Sequence, residues 1–342
     1  MLRWLLRRLG SAALALLGIT FVTFCALDLA PVDRAALELA QRSEQPGAPE
    51  LSVVSRDIAL AKLRLRYGLV DEKTLQPAPV TQRYLRWLQN AATLRFCGPG
   101  EDPKEFRSRI GRALPVTLLL GSLSLCVALL LGVPLGAWLG MRAGSLADRA
   151  VGGALLVLAG LPDALVATIG LVLFAGPVFD WLPAGGFGAS DDAASRGALA
   201  AWLDASLRLV LPLSAMAIGP LVLIARFLRE SVARTAASPF ADNLIAWGFP
   251  EKQRARRILR VALSPLATLA GSLLPMLVAG SIVVESVFAI DGMGRLAFEA
   301  VRANDHAMTM AVTLIGAVAT LIGFVLSDLL HRALDPRVRL DA

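Results

Sequence analysis

Polar and apolar residues segregate into blocks along this chain. Apolar runs occupy about residues 9–30, 112–140, 150–179, 207–226, 263–289 and 307–331, each long enough to cross about 30 Å of hydrocarbon as a helix. Six such runs predict an all-α membrane protein of six transmembrane helices with both termini on one side. The second run, ALPVTLLLGSLSLCVALLLGVPLGAWLGM, carries no charge but holds Pro134 and several glycines, which predicts a kinked helix packed closely against its neighbours. The third is interrupted at Gly160, Pro162 and Asp163 and is the run least suited to remain one helix. The first has a basic start like that of a signal peptide. Its apolar stretch is longer than a signal core, and Phe24 before Cys25 spoils a lipoprotein-type cleavage site, so the expectation is an uncleaved first span.

The longest polar island in the second half is SPFADNLIAWGFPEKQRARRILRVALSP, from Ser238 to Pro265. Ser238 suits an N-cap, Pro239 the first helical position, and Asp242 complements the helix dipole. Gly248 can close the helix in the left-handed conformation and Pro250 cannot continue it. These signals predict a short independent helix of about nine residues, roughly 14 Å long, followed by a strongly basic one, EKQRARRILR. Phe240, Leu244 and Trp247, four and three apart, form one apolar face beside Ala241, with Asp242 and Asn243 on the polar side. By spacing alone, that face is either buried in a partner protein or laid on lipid headgroups, with the basic helix against anionic lipid.

Composition agrees with a membrane protein: 342 residues that are 56% hydrophobic and 18% charged offer too little polar surface to wrap a soluble core. The formal charge of +7 does not point to nucleic acid, because the basic residues sit at span ends and in one loop without interleaved aromatic platforms. It points to orientation. Arg3, Arg7 and Arg8 precede the first span, Arg142 and Arg149 bracket the turn after the second, and eight Lys and Arg residues from Arg226 to Arg260 follow the fourth. Arg332, Arg337 and Arg339 follow the sixth. With six spans all four groups share one face, which is cytoplasmic by the positive-inside rule, so the N and C termini are cytoplasmic.

The expected organisation is then residues 1–30 as tail and first span, 31–111 as an extracytoplasmic loop whose 41–54 portion is loose, and 112–335 as a transmembrane core. Within the core lies a cytoplasmic loop at 229–262, and 336–342 is a cytoplasmic tail. The three cysteines, Cys25, Cys97 and Cys126, have neither metal nor disulfide spacing.

Several blocks together resemble the inner-membrane permease subunits of binding-protein-dependent ABC importers, in the dipeptide, oligopeptide and nickel branch. They are RRLGSAALALLGITFVTF, LPVTLLLGSLSL with GVPLGAWLGMRAGSLAD, LPAGGFG, LPLSAMAIGPLVLIARFLRESV, VVESVFAIDGMGRLAFEAVRANDHAM and SDLLHRALDPRVR. The resemblance implies the ABC type I importer permease fold and a chain forming half of a translocation pore for peptides or similar small solutes. It also implies a second permease subunit, identical or different, two cytoplasmic ATP-binding subunits and an extracytoplasmic solute-binding protein. The Ser238–Gly248 segment corresponds to the family's coupling helix. There the family's Glu-Ala-Ala, three residues, Gly pattern is replaced by Asp242, Asn243 and Leu244 before Gly248, with Trp247 where a basic residue is usual.

Asp291, Gly292, Met293, Gly294 and Arg295 form a tight turn at the outer end of the fifth run, a place suited to a gate segment. Ionisable residues at membrane depth default to function. Asp163 and Glu285 are candidates to line the path or pair with a neighbouring helix, while Asp28 and Asp328, near span ends, reach water. No residues with the pattern of a catalytic, metal or cofactor site occur: a phosphate-binding Gly-Lys-Ser/Thr loop is absent, and His306 and His331 lie at opposite ends of the last run. ATP would therefore bind only to partner subunits. The alternative from another class is a secondary transporter driven by an ion gradient, which would need no cytoplasmic lever. A membrane-embedded hydrolase would need Ser and His at one depth.

Overall fold

The computed structural model describes residues 2–29, 34–43, 53–67, 69–70, 76, 78–93, 95–96, 102–266, 273 and 282–334. Its principal elements are helices: α1 (Leu2–Asp28), α2 (Arg34–Ser43), α3 (Val53–Arg66), α4 (Val80–Ala92), α5 (Pro103–Met141), α6 (Leu146–Gly160) and α7 (Asp163–Phe174). They continue with α8 (Asp191–Ser195), α9 (Ala198–Ala236), α10 (Pro239–Ala246), α11 (Glu251–Ala262), α12 (Ile282–Val287), α13 (Met293–Arg302) and α14 (His306–Leu334). Among the described residues four helices are long and apolar enough to cross a membrane, within α1, α5, α9 and α14, and α6 with α7 would make a fifth. The predicted run at 263–289 falls largely outside the described residues; α12 lies at its C-terminal end.

Helices outrun the apolar stretches because caps and propensity, not hydropathy, set their ends. α5 starts well before the apolar run: Pro103 occupies its first position and the Asp102 carboxylate accepts from the Lys104 amide at 2.8 Å. α9 likewise extends past both ends of the run at 207–226. The third run is not one helix. Its two halves, α6 and α7, are bent by 101°, because Pro162 bars Leu161 from helical geometry, leaving it extended at φ −83°, ψ 126°.

The chain divides into two compact units, residues 1–111 with 296–317 and residues 112–295 with 318–342. In the first, α4 lies against α1. The Arg83 guanidinium pairs with the Asp28 carboxylate at 2.5 Å, and the Thr20 and Tyr84 hydroxyls share a hydrogen bond of 2.9 Å with Phe21 and Phe24 edge-on to the Tyr84 ring. Asp28 is thus held by a cation from the following loop rather than left to water. α2 and α3 form a hairpin over Ala35, Leu39 and Leu63, and the Tyr67 hydroxyl donates to Glu38 at 2.6 Å. Most of the 41–54 portion expected to be loose lies outside the described residues.

In the second unit α9 is the common partner. Gly132, Gly136 and Gly140, one turn apart on α5, face it; a Cβ at Gly136 would fall 2.4 Å from the Ala225 carbonyl oxygen, and one at Gly140 2.6 Å from Val232 Cβ. Two backbones can approach this closely only across glycine. Leu139, Leu155, Val222 and Ala225 close the junction of α5, α6 and α9. Leu120, Ala167, Leu211, Val284 and Phe288 close the junction of α5, α7, α9 and α12.

Candidate functional site

Two constellations stand out, both in the second unit. The first is the polar island. α10 runs from Pro239 to Ala246, and Gly248 takes the left-handed conformation at φ +71°, which only a residue without Cβ adopts at little cost. Ser238 occupies the N-cap position with extended backbone, but its side chain does not cap α10. Its hydroxyl donates to the Thr235 carbonyl at 2.7 Å and so helps close α9 instead.

The apolar face is divided. Leu244 is 1% exposed and, with Ala241, packs among Leu228 and Val232 of α9 and Ile258 and Ala262 of α11. Trp247 is 71% exposed, Ile245 58% and Phe240 39%. The expected stripe of Phe240, Leu244 and Trp247 therefore does not present one surface: Leu244 anchors the helix to its own chain, and Ile245 replaces it on the outward side. The anchor followed from contacts of α9 and α11, which spacing within α10 alone does not contain. Asp242 and Asn243 are exposed. Arg257 of α11 lies over the Phe249 ring, 4.1 Å from its centroid.

Behind this element a second tie joins α6 to α9. Ser145 caps α6, accepting from the Asp148 amide at 3.2 Å, and Asp148 accepts from the Gly144 amide at 2.9 Å. The Arg229 guanidinium grips the same carboxylate with two bonds, Nε at 2.8 Å and Nη2 at 2.6 Å. Asp148 precedes the apolar run that starts at Ala150, and these donors, Arg229 foremost and Gly144 next, hold its carboxyl down at about 2. The signal was legible as Ser145 followed three residues later by an acid before an apolar run; its partner on α9 was not. Between α6 and α9 lies an open cavity of about 740 Å³, lined by Gly152, Gly153, Leu156, Gly219, Leu223 and Arg226 among others.

The second constellation is the turn at Asp291–Arg295. Two residues past the end of α12, Ala289 turns the chain with a left-handed φ of +52°; the Ile290 amide donates back to the Glu285 carbonyl at 2.8 Å. The chain then crosses Glu285, which is fully buried. Glu285 Oε1 accepts from the Thr117 hydroxyl at 2.8 Å and Oε2 from the Arg295 amide at 2.9 Å. The Thr117 oxygen in turn accepts from the Met293 amide at 2.8 Å. So the amides of the first turn of α13 are met by side chains of α5 and α12. Gly292 and Gly294 make this possible: a Cβ would lie 2.5 Å from Glu285 Cδ at the first and 2.9 Å from its Oε2 at the second. Arg295 also pairs with exposed Asp291 at 2.9 Å.

The glycine-rich segment after Leu182 clasps the end of α12. The Gly186 amide donates to the Phe288 carbonyl at 2.8 Å, and a Cβ at Gly185 would fall 2.6 Å from that oxygen. Arg208 of α9 donates to the Gly185 carbonyl at 2.8 Å and pairs with Asp204 at 2.9 Å; Asp204 accepts from the Ser190 amide at 2.7 Å. Thr117, Asp204 and Arg208 were not singled out from sequence. The i, i+4 spacing of Asp204 and Arg208 is a visible pairing signal, but Thr117 looks like any span threonine.

The structure therefore brings Glu285 to the Asp291–Arg295 turn, and Asp163 takes no part in that constellation. Asp163 opens α7 at the bend and is exposed on the chain's surface. Glu285 meets protein donors on both oxygens, and the turn's backbone covers it because Gly292 and Gly294 lack side chains.

The model of the family described as binding-protein-dependent transport system inner membrane component matches residues 132–340. The dipeptide transport system permease protein DppB of Bacillus subtilis is 27% identical over 342 residues, covering 99% of each chain. The oligopeptide transport system permease protein AppB of the same organism is 27% identical over 343 residues, again with 99% of each covered. OppB of Mycobacterium tuberculosis is 27% identical over 350 residues with the same coverage. These matches give no support to an ion-gradient transporter. The chain belongs to the family of inner-membrane permease components of binding-protein-dependent transport systems, as a multi-pass protein of that membrane.

Proposed function

We propose that the chain forms half of the pore of an ABC importer for short peptides or similar small solutes. It would pair with a second permease subunit and be driven by two cytoplasmic ATP-binding subunits and supplied by an extracytoplasmic solute-binding protein. The topology is six spans with both termini cytoplasmic. α10, within the Ser238–Gly248 segment, is the coupling helix that the ATPases grip; Asp163 and the cavity between α6 and α9 contribute to the wall of the path; the Asp291–Arg295 turn is part of the outer gate.

The observation that carries this reading is the outward apolar face of α10. A helix anchored through Leu244 and Ala241 yet displaying Trp247, Ile245 and Phe240 has surface that water disfavours and a protein cleft would bury. The names of the relatives, dipeptide and oligopeptide permeases, support the cargo class. When ATP closes the partner subunits, a helix fixed to α9 and α11 would carry their motion into the spans. The Asp148–Arg229 tie would pass it on to α6.

Purifying the tagged chain from its native membrane is the test. An ATPase should come down with it and be lost when Ile245 and Trp247 are both replaced by Asp. Retention of the ATPase in that double variant, or transport by the purified chain alone in liposomes, would overturn the reading.

A further inference from the structure

A carboxylate buried at membrane depth is costly unless every lone pair is used, and Glu285 spends its own on other helices. Its donors come from α5, through Thr117, and from the first turn of α13, through Arg295, while its backbone belongs to α12. Thr117, also fully buried, is the second half of the junction, since its single oxygen donates to Glu285 and accepts from Met293. Around the carboxyl group the protein leaves no room, as the glycine positions 292 and 294 show. A group so enclosed does not meet cargo. It does fix where the outer turn can be: residues 293–295 cannot move away from α5 or α12 without stripping their amides of acceptors, a penalty that makes the joint behave as one piece.

We propose that Glu285 and Thr117 are a positioning pair that locks α5, α12 and the outer turn into one moving body, so that the turn follows the spans when the ATPases close. This rests on the coupling and gate reading above. Glu285→Gln keeps the shape but turns an amide N–H₂ toward groups that are themselves donors. Thr117→Val removes both bonds of the hydroxyl, and Thr117→Ser restores them.

The experiment uses the complex of the tagged chain with its co-purifying ATPase, in liposomes, with Cys25, Cys97 and Cys126 replaced by Ser. A single reporter is placed by Val301→Cys on the exposed side of α13, where Val301 is 54% exposed. The maleimide labelling rate is compared without nucleotide and after trapping with MgATP and vanadate. Trapping should change the wild-type rate about fivefold or more. In Glu285→Gln and Thr117→Val the ATPase should still co-purify and hydrolyse ATP, but the labelling rate should no longer respond to trapping; Thr117→Ser should respond as wild type does.

A wild-type response in either of the first two variants would overturn the pair. So would failure of both to assemble while Thr117→Ser assembles, since the role would then be folding alone. If only Glu285→Gln fails to assemble, Thr117→Val decides by the same readout. No response in the wild-type complex would sink the gate reading itself, and absence of a co-purifying ATPase would sink the proposed function.

Discussion

Replacing Gly136 by Ala probes the seam through which α9 communicates with α5. The added methyl would sit 2.4 Å from the Ala225 carbonyl oxygen, 3.0 Å from its Cα and 3.1 Å from its carbonyl carbon. Ordinary carbon–oxygen contacts between helices lie at about 3.3 Å or more, so the overlap is close to 1 Å. Both partners are backbone, and neither can swing aside as a side chain would. The helices must part, at an overpacking cost of about 1–3 kcal/mol that falls toward the upper end here. Against this stands the gain of about 1 kcal/mol from putting Ala for Gly in a helix interior. The expected net loss is about 2 kcal/mol. The assay is thermal unfolding of the purified chain in detergent, read by intrinsic tryptophan fluorescence, with Gly152→Ala as control. Gly152 has nothing within 4 Å of the site of its Cβ, so that variant should unfold at or above the wild-type temperature. Gly136→Ala unfolding no earlier than wild type would refute the close approach of α5 and α9.

Leu244→Ala should lower the unfolding temperature, since removing a side chain this deeply buried costs about 2–4 kcal/mol, whereas Trp247→Ala should leave it unchanged and act only on ATPase retention in pull-downs. Asp148→Asn should destabilise the chain equally at pH 6 and pH 8. The native carboxyl titrates at about 2, below the ordinary value of about 3.9. The Arg229 tie is therefore complete above about pH 4 and is lost as the pH falls toward 2; unfolding temperatures of wild type and variant should converge there and nowhere higher.

Much of this architecture follows from local pattern. Apolar runs longer than the bilayer core, Pro162 within the third, and the Pro239, Gly248 and Pro250 punctuation each act over a few residues. The apolar helices, the break between α6 and α7 and the left-handed stop after α10 could accordingly be read from the chain, whereas the 101° angle of that break could not. The glycines of the second run announced close packing, but their partner on α9 lay nearly ninety residues away in sequence. Leu244 and Ile245 illustrate the limit most directly. Adjacent and equally apolar, they receive opposite roles, because α9 and α11 close over one side of α10 and leave the other bare.

Glu285 marks the same boundary. Composition alone flagged it as a charge where charge is expensive, and that much holds for any fold placing the run in lipid. Whether such a group faces a channel or a protein interior depends on which donors arrive from elsewhere. Thr117 comes from a helix 168 positions earlier in the chain. Helix identity, membrane residence and family membership were thus contained in the order of the residues, since each rests on local periodicity or extended likeness. The division of α10 into anchor and contact face, and the joint around Glu285, came only with the packed helices, because burial and hydrogen-bond partners are properties of neighbours in space.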